Sequence, residues 1–145
     1  MEITFKELLT AVDGDVIVDS NKKEFNKFCI DTRNIEEGNI FVALKGEKFN
    51  PNKHALEAID KGANIVIIDE ILFDKEDPKN EGTIIKVDSC HKALLDLANY
   101  YRKKLNLKVI GVTGSNGKTS TKDLIAAFLG HKFKVFKTKG NFNSE

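Results

Sequence analysis

The residues whose types and spacing best suit a chemical role lie at positions 111–119, which read GVTGSNGKT. Glycines in such a loop let backbone N–H groups turn toward phosphate oxygens, and a following helix N-terminus adds partial positive charge. Lys118 can neutralise the β- and γ-phosphates, and the Thr119 hydroxyl is placed to ligate Mg²⁺. The strict pattern G-x-x-x-x-G-K-[ST] puts its first glycine at position 112, where this chain has Val112. Because the Gly117-Lys118-Thr119 end is intact, the segment predicts binding of a nucleoside triphosphate without specifying the reaction.

A second candidate is the polar turn Asp31-Thr32-Arg33, which holds one of only two arginines in a chain with 23 basic residues. A guanidinium group binds phosphate or carboxylate through a planar pair of donors. A local pair between Asp31 and Arg33 that caps the turn explains the same residues without any ligand. The residues by themselves leave both interpretations open.

The composition excludes several classes of protein. The chain has 145 residues, a net charge of +1 and 41% hydrophobic residues, which is typical of one or two small globular domains. The two cysteines match no metal or redox spacing, and the N-terminus lacks the pattern of a signal peptide. We therefore expect a cytoplasmic protein with no membrane-spanning segment. From Lys118 onward six lysines accompany two acids, and the net charge of +4 suits a polyphosphate or nucleic acid, although lysines on the open face of a solvated strand explain the same charge. The lack of arginines interleaved with aromatic residues argues against nucleic acid.

The spacing of apolar residues predicts alternating helices and strands. Helices are predicted over residues 3–12 and 55–61, after an Asp88-Ser89 cap as far as Tyr101, and over 118–129 with Gly130 as the stop. In the last helix Leu124, Ile125, Phe128 and Leu129 are predicted to face a core. Strands or extended segments are predicted at 16–18, 25–30, 40–44, 65–68, 83–87, 107–112 and 134–136.

This order predicts an α/β fold in two parts. We expect a small α/β domain over residues 1–87. Residues 88–145 are expected to begin a second domain, of the P-loop, Rossmann-like type with a parallel sheet, in which the strand at 107–112 leads into the loop.

Longer stretches of the chain are similar to the Mur ligases. Residues 113–123, TGSNGKTSTKD, and 137–143, KTKGNFN, resemble the ATP-binding segment of that family. Residues 31–46, DTRNIEEGNIFVALKG, resemble its N-terminal domain, which binds a UDP-sugar. Many relatives carry Asp-Gly-His where this chain has Asn50-Pro51-Asn52, so no histidine contact is expected there.

The resemblance implies an ATP-dependent amide ligase of peptidoglycan precursor synthesis. ATP phosphorylates the terminal carboxylate of UDP-N-acetylmuramoyl-tripeptide, and the amine of D-Ala-D-Ala then displaces phosphate to form the peptide bond. ATP and Mg²⁺ are implied as cofactors, with Lys118 and Thr119 as catalytic residues and Thr119 at the metal. The implied nucleotide contacts are Thr113, Gly114, Ser115, Asn116, Gly117, Lys118, Thr119 and Ser120. The implied substrate contacts are Asp31, Thr32, Arg33, Lys45 and Gly46, together with Asn141 and Asn143.

Three alternatives stay open. The sister ligase that adds the third amino acid shares the first domain. A non-catalytic UDP-sugar-binding module and a P-loop switch protein are the other two. The family needs a further central region and a C-terminal domain that 145 residues do not contain. We therefore expect the N-terminal part of a ligase, inactive alone, monomeric, and with small molecules as its partners.

Overall fold

The computed structural model describes residues 3–74 and 81–138. The chain divides into two compact units, Met1–Asn106 and Leu107–Glu145. None of the helices in the described part of the chain is long and apolar enough to cross a membrane.

A five-stranded sheet forms the centre of the first unit, and its strands run in the order β1-β5-β4-β3-β2. The neighbours from β2 to β5 are parallel, whereas β1 is antiparallel to β5. The predicted α/β class is therefore confirmed, with one antiparallel edge strand. The strands are β1 (Asp15–Val18), β2 (Phe28–Cys29), β3 (Asn39–Val42), β4 (Ala63–Ile68) and β5 (Thr83–Lys86).

Two helices of the first unit, α1 and α3, begin where the sequence supplies side-chain caps. In α1 (Phe5–Val12) the Thr4 hydroxyl accepts from the Glu7 N–H, and the Glu7 carboxylate accepts from the Thr4 N–H, which is a capping box. The Ser89 side chain accepts from the Lys92 N–H at the start of α3 (Cys90–Leu105), as the predicted cap requires. Between them lies α2 (Ala55–Asp60), preceded by a 3-10 turn at Pro51–His54.

The core of the first unit follows from its apolar runs. Every residue of β3 is buried, and so are five of the six residues of β4. A parallel strand covered on both faces needs such continuous apolar character, because its two faces both leave water. Burial of each large aliphatic side chain there contributes about 1.5–3 kcal/mol before the entropy of ordering is counted. The buried sheet therefore fixes the positions of the strand ends and of the residues that directly follow them.

The first unit extends one helix beyond the boundary predicted near residue 87. Helix α3 packs on α1, where the Tyr100 hydroxyl donates to Glu7 Oε1 at 3.1 Å and Lys104 Nζ donates to the same oxygen at 2.8 Å. These cross-helix bonds attach α3 to the sheet domain. The sequence pattern alone assigned this helix to the second part.

The second unit has one regular element among its described residues, helix α4 (Lys118–Gly130). The predicted helix is confirmed, but Gly130 is its last residue rather than the stop beyond it. The predicted strands at 107–112 and 134–136 are wrong, because both segments are irregular. A strand needs a neighbouring strand to bind its backbone N–H and C=O groups, and residues 107–138 contain no pair of strands that could do so.

The predicted core face of α4 is also not covered within the described residues of this unit. Leu124 is 59% exposed and Phe128 is 70% exposed. Ile125 and Leu129 are half-buried. The amphipathic spacing correctly predicted which face of α4 is apolar, but it does not indicate which surface packs against that face.

Candidate functional site

The glycine-rich loop takes the backbone shape that its sequence requires. Gly114 has φ +147° and Gly117 has φ +75°, a left-handed conformation that other residues adopt at a cost. Gly117 is the N-cap of α4, and a Cβ added there would meet nothing within 4 Å. The loop therefore faces open space where the helix begins.

The side chain of Lys118 lies back over this loop. Its Nζ donates to the Gly114 carbonyl oxygen at 2.6 Å, and the residue is half-buried. Thr119, the second residue of α4, is also half-buried. No acidic residue lies in the first turn of the helix, so its positive dipole end is not opposed there. An ammonium group and a helix N-terminus thus converge on the same loop.

In the first unit, polar residues follow the carboxyl ends of three parallel strands. Asp31 and Arg33 follow β2, Lys45 and Gly46 follow β3, and Asp69 and Glu70 follow β4. We call these residues the carboxyl edge: Asp31, Arg33, Lys45, Gly46, Asp69 and Glu70. Ligands of open parallel sheets bind outside this end of the strands.

At one end of the carboxyl edge Asp31 and Arg33 form the local pair that the turn suggested. Arg33 Nη2 donates to Asp31 Oδ2 at 2.6 Å, and Arg33 Nε donates to Oδ1 at 2.9 Å. These bonds lower the pKa of Asp31 to about 2. The Arg33 side chain is nevertheless 84% exposed, so the guanidinium remains accessible to an anion. The Thr32 carbonyl oxygen between them accepts from Lys61 Nζ at 3.1 Å.

Glu70 joins two parts of the loop after β3. Its Oε1 is ion-paired with Lys45 Nζ, and its Oε2 accepts from Asn50 Nδ2 at 2.7 Å. The ion pair raises the pKa of Lys45 and lowers that of Glu70. Gly46 N–H donates to the Phe49 carbonyl oxygen at 3.0 Å, which closes the turn between them.

Beneath this loop lies Asn52, which is 0% exposed. Its Nδ2 donates to Asn50 Oδ1 at 2.9 Å and to Asp69 Oδ1 at 2.8 Å. Its Oδ1 accepts from the N–H groups of Asp69 and Glu70 at 3.0 and 3.3 Å. The side chain of Asn52 therefore satisfies all of its hydrogen-bonding groups internally.

The sequence reasoning missed Asn50, Asn52, Asp69 and Glu70 as parts of this edge. One signal was available for the acids, since they follow the buried run at 65–68 directly. Nothing local indicated that the two asparagines would reach the end of β4. Among residues 3–74 and 81–138, no group of three or more metal-binding side chains is arranged around one point. Cys29 and Cys90 are free thiols.

The structure places the predicted residues in three groups. Residues 113–120 form the loop and first turn of the second unit. Asp31, Thr32 and Arg33 form the turn after β2, where Lys61 at the end of α2 donates to the Thr32 carbonyl oxygen, whereas Lys45 and Gly46 follow β3, where Lys45 is paired with Glu70. Asn141 and Asn143 lie outside the described residues.

Comparison with protein families gives the same division of the chain. Residues 24–102 match the model of the Mur ligase family, catalytic domain, and residues 112–145 match that of the Mur ligase middle domain. The gap between the two matches contains Asn106, the last residue of the first compact unit.

Two curated relatives carry different names. The UDP-N-acetylmuramoyl-tripeptide–D-alanyl-D-alanine ligase of Bacillus subtilis is 43% identical over 114 residues, which are 79% of this chain and 24% of the relative. The UDP-N-acetylmuramoyl-L-alanyl-D-glutamate–2,6-diaminopimelate ligase of Clostridium botulinum is 36% identical over 130 residues, which are 86% of this chain and 27% of the relative. The chain thus spans about a quarter of the length of these relatives.

Solved structures agree with the curated relatives. A crystal structure of MurF from Acinetobacter baumannii has a TM-score of 0.82 and 30% identity, and the match covers 97% of this chain and 30% of that one. MurF from Thermotoga maritima in complex with ADP has a TM-score of 0.64 and 35% identity, over 81% of this chain and 26% of that one. Since the catalytic-domain model alone matches more than half of the 145 residues, and the loop, helix and sheet edge lie within the matched segments, the chain belongs to the Mur ligase family.

Proposed function

We propose that this chain is the N-terminal part of an ATP-dependent ligase that joins D-Ala-D-Ala to UDP-N-acetylmuramoyl-tripeptide. The observation that carries the proposal is the loop at 111–119, which leads into the uncapped first turn of α4 with Lys118 lying over it. The name of the Bacillus subtilis relative supports the choice of substrates. In this proposal the protein is a cytoplasmic monomer, and the second unit, Leu107–Glu145, contributes the beginning of its ATP-binding region.

The loop fits the polyphosphate of ATP. Backbone N–H groups of the first helical turn supply donors, and the Lys118 ammonium supplies a full positive charge. To contact the β- and γ-phosphates, Lys118 Nζ exchanges its bond to the Gly114 carbonyl oxygen for a charge-assisted bond to phosphate. Lys118 then stabilises the negative charge that develops when the γ-phosphoryl group moves to the substrate carboxylate. Thr113, Ser115, Asn116 and Ser120 surround the same phosphates.

A magnesium ion fits beside Thr119. Its hydroxyl is a hard oxygen donor one residue after Lys118, in the position that P-loops use for this metal. When bound, the metal neutralises phosphate charge. Thr119 orients it, and Lys118 holds the phosphate oxygens.

The carboxyl edge of the first unit fits the UDP portion of the second substrate. Arg33 is 84% exposed on its side chain, and Lys45 is 49% exposed, so both cations are accessible to a diphosphate. Asp31 and Thr32 hold the turn on which Arg33 stands, and Gly46 leaves room beside Lys45. Asn141 and Asn143, which lie outside the described residues, are proposed as further substrate contacts on the family resemblance alone.

Calorimetric titration of the 145-residue chain with UDP and with Mg²⁺-ATP tests both sites separately. We expect UDP binding that weakens in Arg33→Ala, and ATP binding that is lost in Lys118→Ala. Lys103→Ala, which removes an exposed lysine near the end of α3, is the matched control. UDP binding without ATP binding supports the alternative of a UDP-sugar-binding module.

A chimera tests the reaction itself. Residues 1–145 replace the matching segment of the Bacillus subtilis ligase, and ADP release is measured with UDP-N-acetylmuramoyl-tripeptide and D-Ala-D-Ala. We expect turnover that Lys118→Ala abolishes, and unchanged turnover in that variant contradicts the proposal. The Clostridium botulinum relative favours a second candidate, addition of 2,6-diaminopimelate. Tight binding of UDP-N-acetylmuramoyl-dipeptide to this chain, with weak binding of the tripeptide form, supports that candidate instead.

A further inference from the structure

The lysine proposed to bind a diphosphate already has a partner. Lys45 Nζ is ion-paired with Glu70 Oε1, and the two side chains are 49% and 36% exposed. A phosphate oxygen that reaches this ammonium meets the Glu70 carboxylate beside it. Two like charges that share one cation in this way repel each other, and the repulsion raises the free energy of the bound state.

The backbone beneath Glu70 is held without its carboxylate. Asn52 Oδ1 accepts from the N–H groups of Asp69 and Glu70, and Asn52 Nδ2 donates to Asp69 Oδ1. Glutamine at position 70 retains an oxygen that accepts from Asn50 Nδ2. Glu70→Gln therefore removes one negative charge while it preserves the turn and the bond to Asn50.

We propose that Glu70 competes with the diphosphate of a nucleoside diphosphate for Lys45, and so sets the affinity and the ionic-strength dependence of the carboxyl edge. This inference rests on the proposed function of that edge. Glu70 acts here on affinity through Lys45 and not as a catalytic residue. The bound diphosphate shares or displaces the Lys45–Glu70 pair, so removal of the carboxylate tightens binding.

The first experiment is a titration of the unaltered chain and Glu70→Gln with UDP at low salt. We expect about two- to five-fold tighter binding by the variant, the range set by exposed ion pairs. Near 1 M salt, where the Debye length is about 3 Å, the ratio of the two affinities should move toward one. Uridine, which lacks the diphosphate, should bind both proteins equally.

Glu36→Gln is the matched control. Glu36 forms an exposed ion pair with Lys27 at 2.6 Å, and it precedes β3, at the opposite edge of the sheet from Lys45. This variant changes the net charge by the same amount, and its UDP affinity should equal that of the unaltered chain. If Glu70→Gln fails to fold, Glu70→Ala takes its place.

The outcomes distinguish the inference from the proposed function. Equal or weaker UDP binding by Glu70→Gln, when Lys45→Ala weakens it, overturns the inference and leaves the site intact. Unchanged UDP binding by Lys45→Ala removes Lys45 from the site, which overturns the inference and that part of the proposed function. An equal gain in Glu36→Gln overturns the inference as well, because net charge alone then explains the effect.

Discussion

The buried side chain of Asn52 should be among the largest polar contributions to the stability of the first unit. Its amide group makes four hydrogen bonds, two as donor and two as acceptor, at 2.8 to 3.3 Å. Asn52→Ala leaves the N–H groups of Asp69 and Glu70 without this acceptor in a protein interior. At about 0.5–1.5 kcal/mol for each net bond, we expect the variant to lose about 2–6 kcal/mol of unfolding free energy.

Urea denaturation followed by tyrosine fluorescence measures this loss. The chain has two tyrosines and no tryptophan, and both Tyr100 and Tyr101 lie in α3, so the signal reports the first unit. With a slope of about 2 kcal/mol per M of urea, the midpoint should fall by about 1–3 M. The slope itself should stay unchanged, since the same surface is exposed on unfolding.

Two other asparagines provide a graded control. Asn39, 2% exposed, accepts from the Glu36 N–H and donates to Asn26, whereas Asn64 is half-buried and donates to the Glu24 carbonyl oxygen. We expect Asn39→Ala to lie between the other two variants and Asn64→Ala to cost about 1 kcal/mol or less. A loss in Asn52→Ala no greater than that in Asn64→Ala refutes the reasoning.

Three further outcomes are expected. The bond from Lys104 and other bonds lower the pKa of Glu7 to about 2 from 4.5, so its contribution to stability is present above pH 4.5 and is lost as the pH falls through about 2. The urea midpoint of the unaltered chain should therefore fall as the pH drops from 4.5 to about 2, and the midpoint of Glu7→Gln should fall less. An equal fall of the midpoint in the two proteins contradicts this. Gly62 has φ +109° and a Cβ there would lie 3.1 Å from a backbone carbon, so Gly62→Ala should cost at least about 1–3 kcal/mol in the same assay. Burial raises the pKa of the Cys90 thiol to about 12, so thiol reagents at neutral pH should modify Cys29 first, and equal rates for the two thiols in the native protein would count against this.

Much of the fold could be predicted because its signals are local. The apolar runs at 40–44 and 65–68 indicated buried strands, and the structure has strands at Asn39–Val42 and Ala63–Ile68. The Ser89 cap and the start of α4 after the glycine loop were also readable, because a cap depends on residues within one turn. The strand predictions at 107–112 and 134–136 were wrong because they also rested on local apolar character, which does not supply the neighbouring strand that a strand needs.

The same distinction between local and tertiary signals applies to the candidate site. The sequence by itself determined the shape of the glycine-rich loop at 111–119, because its glycines, lysine and threonine lie close together and their geometry is set by backbone torsions and one helix end. Through the family resemblance it also predicted Asp31, Arg33 and Lys45 as substrate contacts. Only the tertiary structure decided that Lys45 is paired with Glu70 and that Asn52 holds the turn beneath them. These residues lie 17 to 25 positions apart in pairs, and parallel strand pairing alone brings their strand ends to one edge.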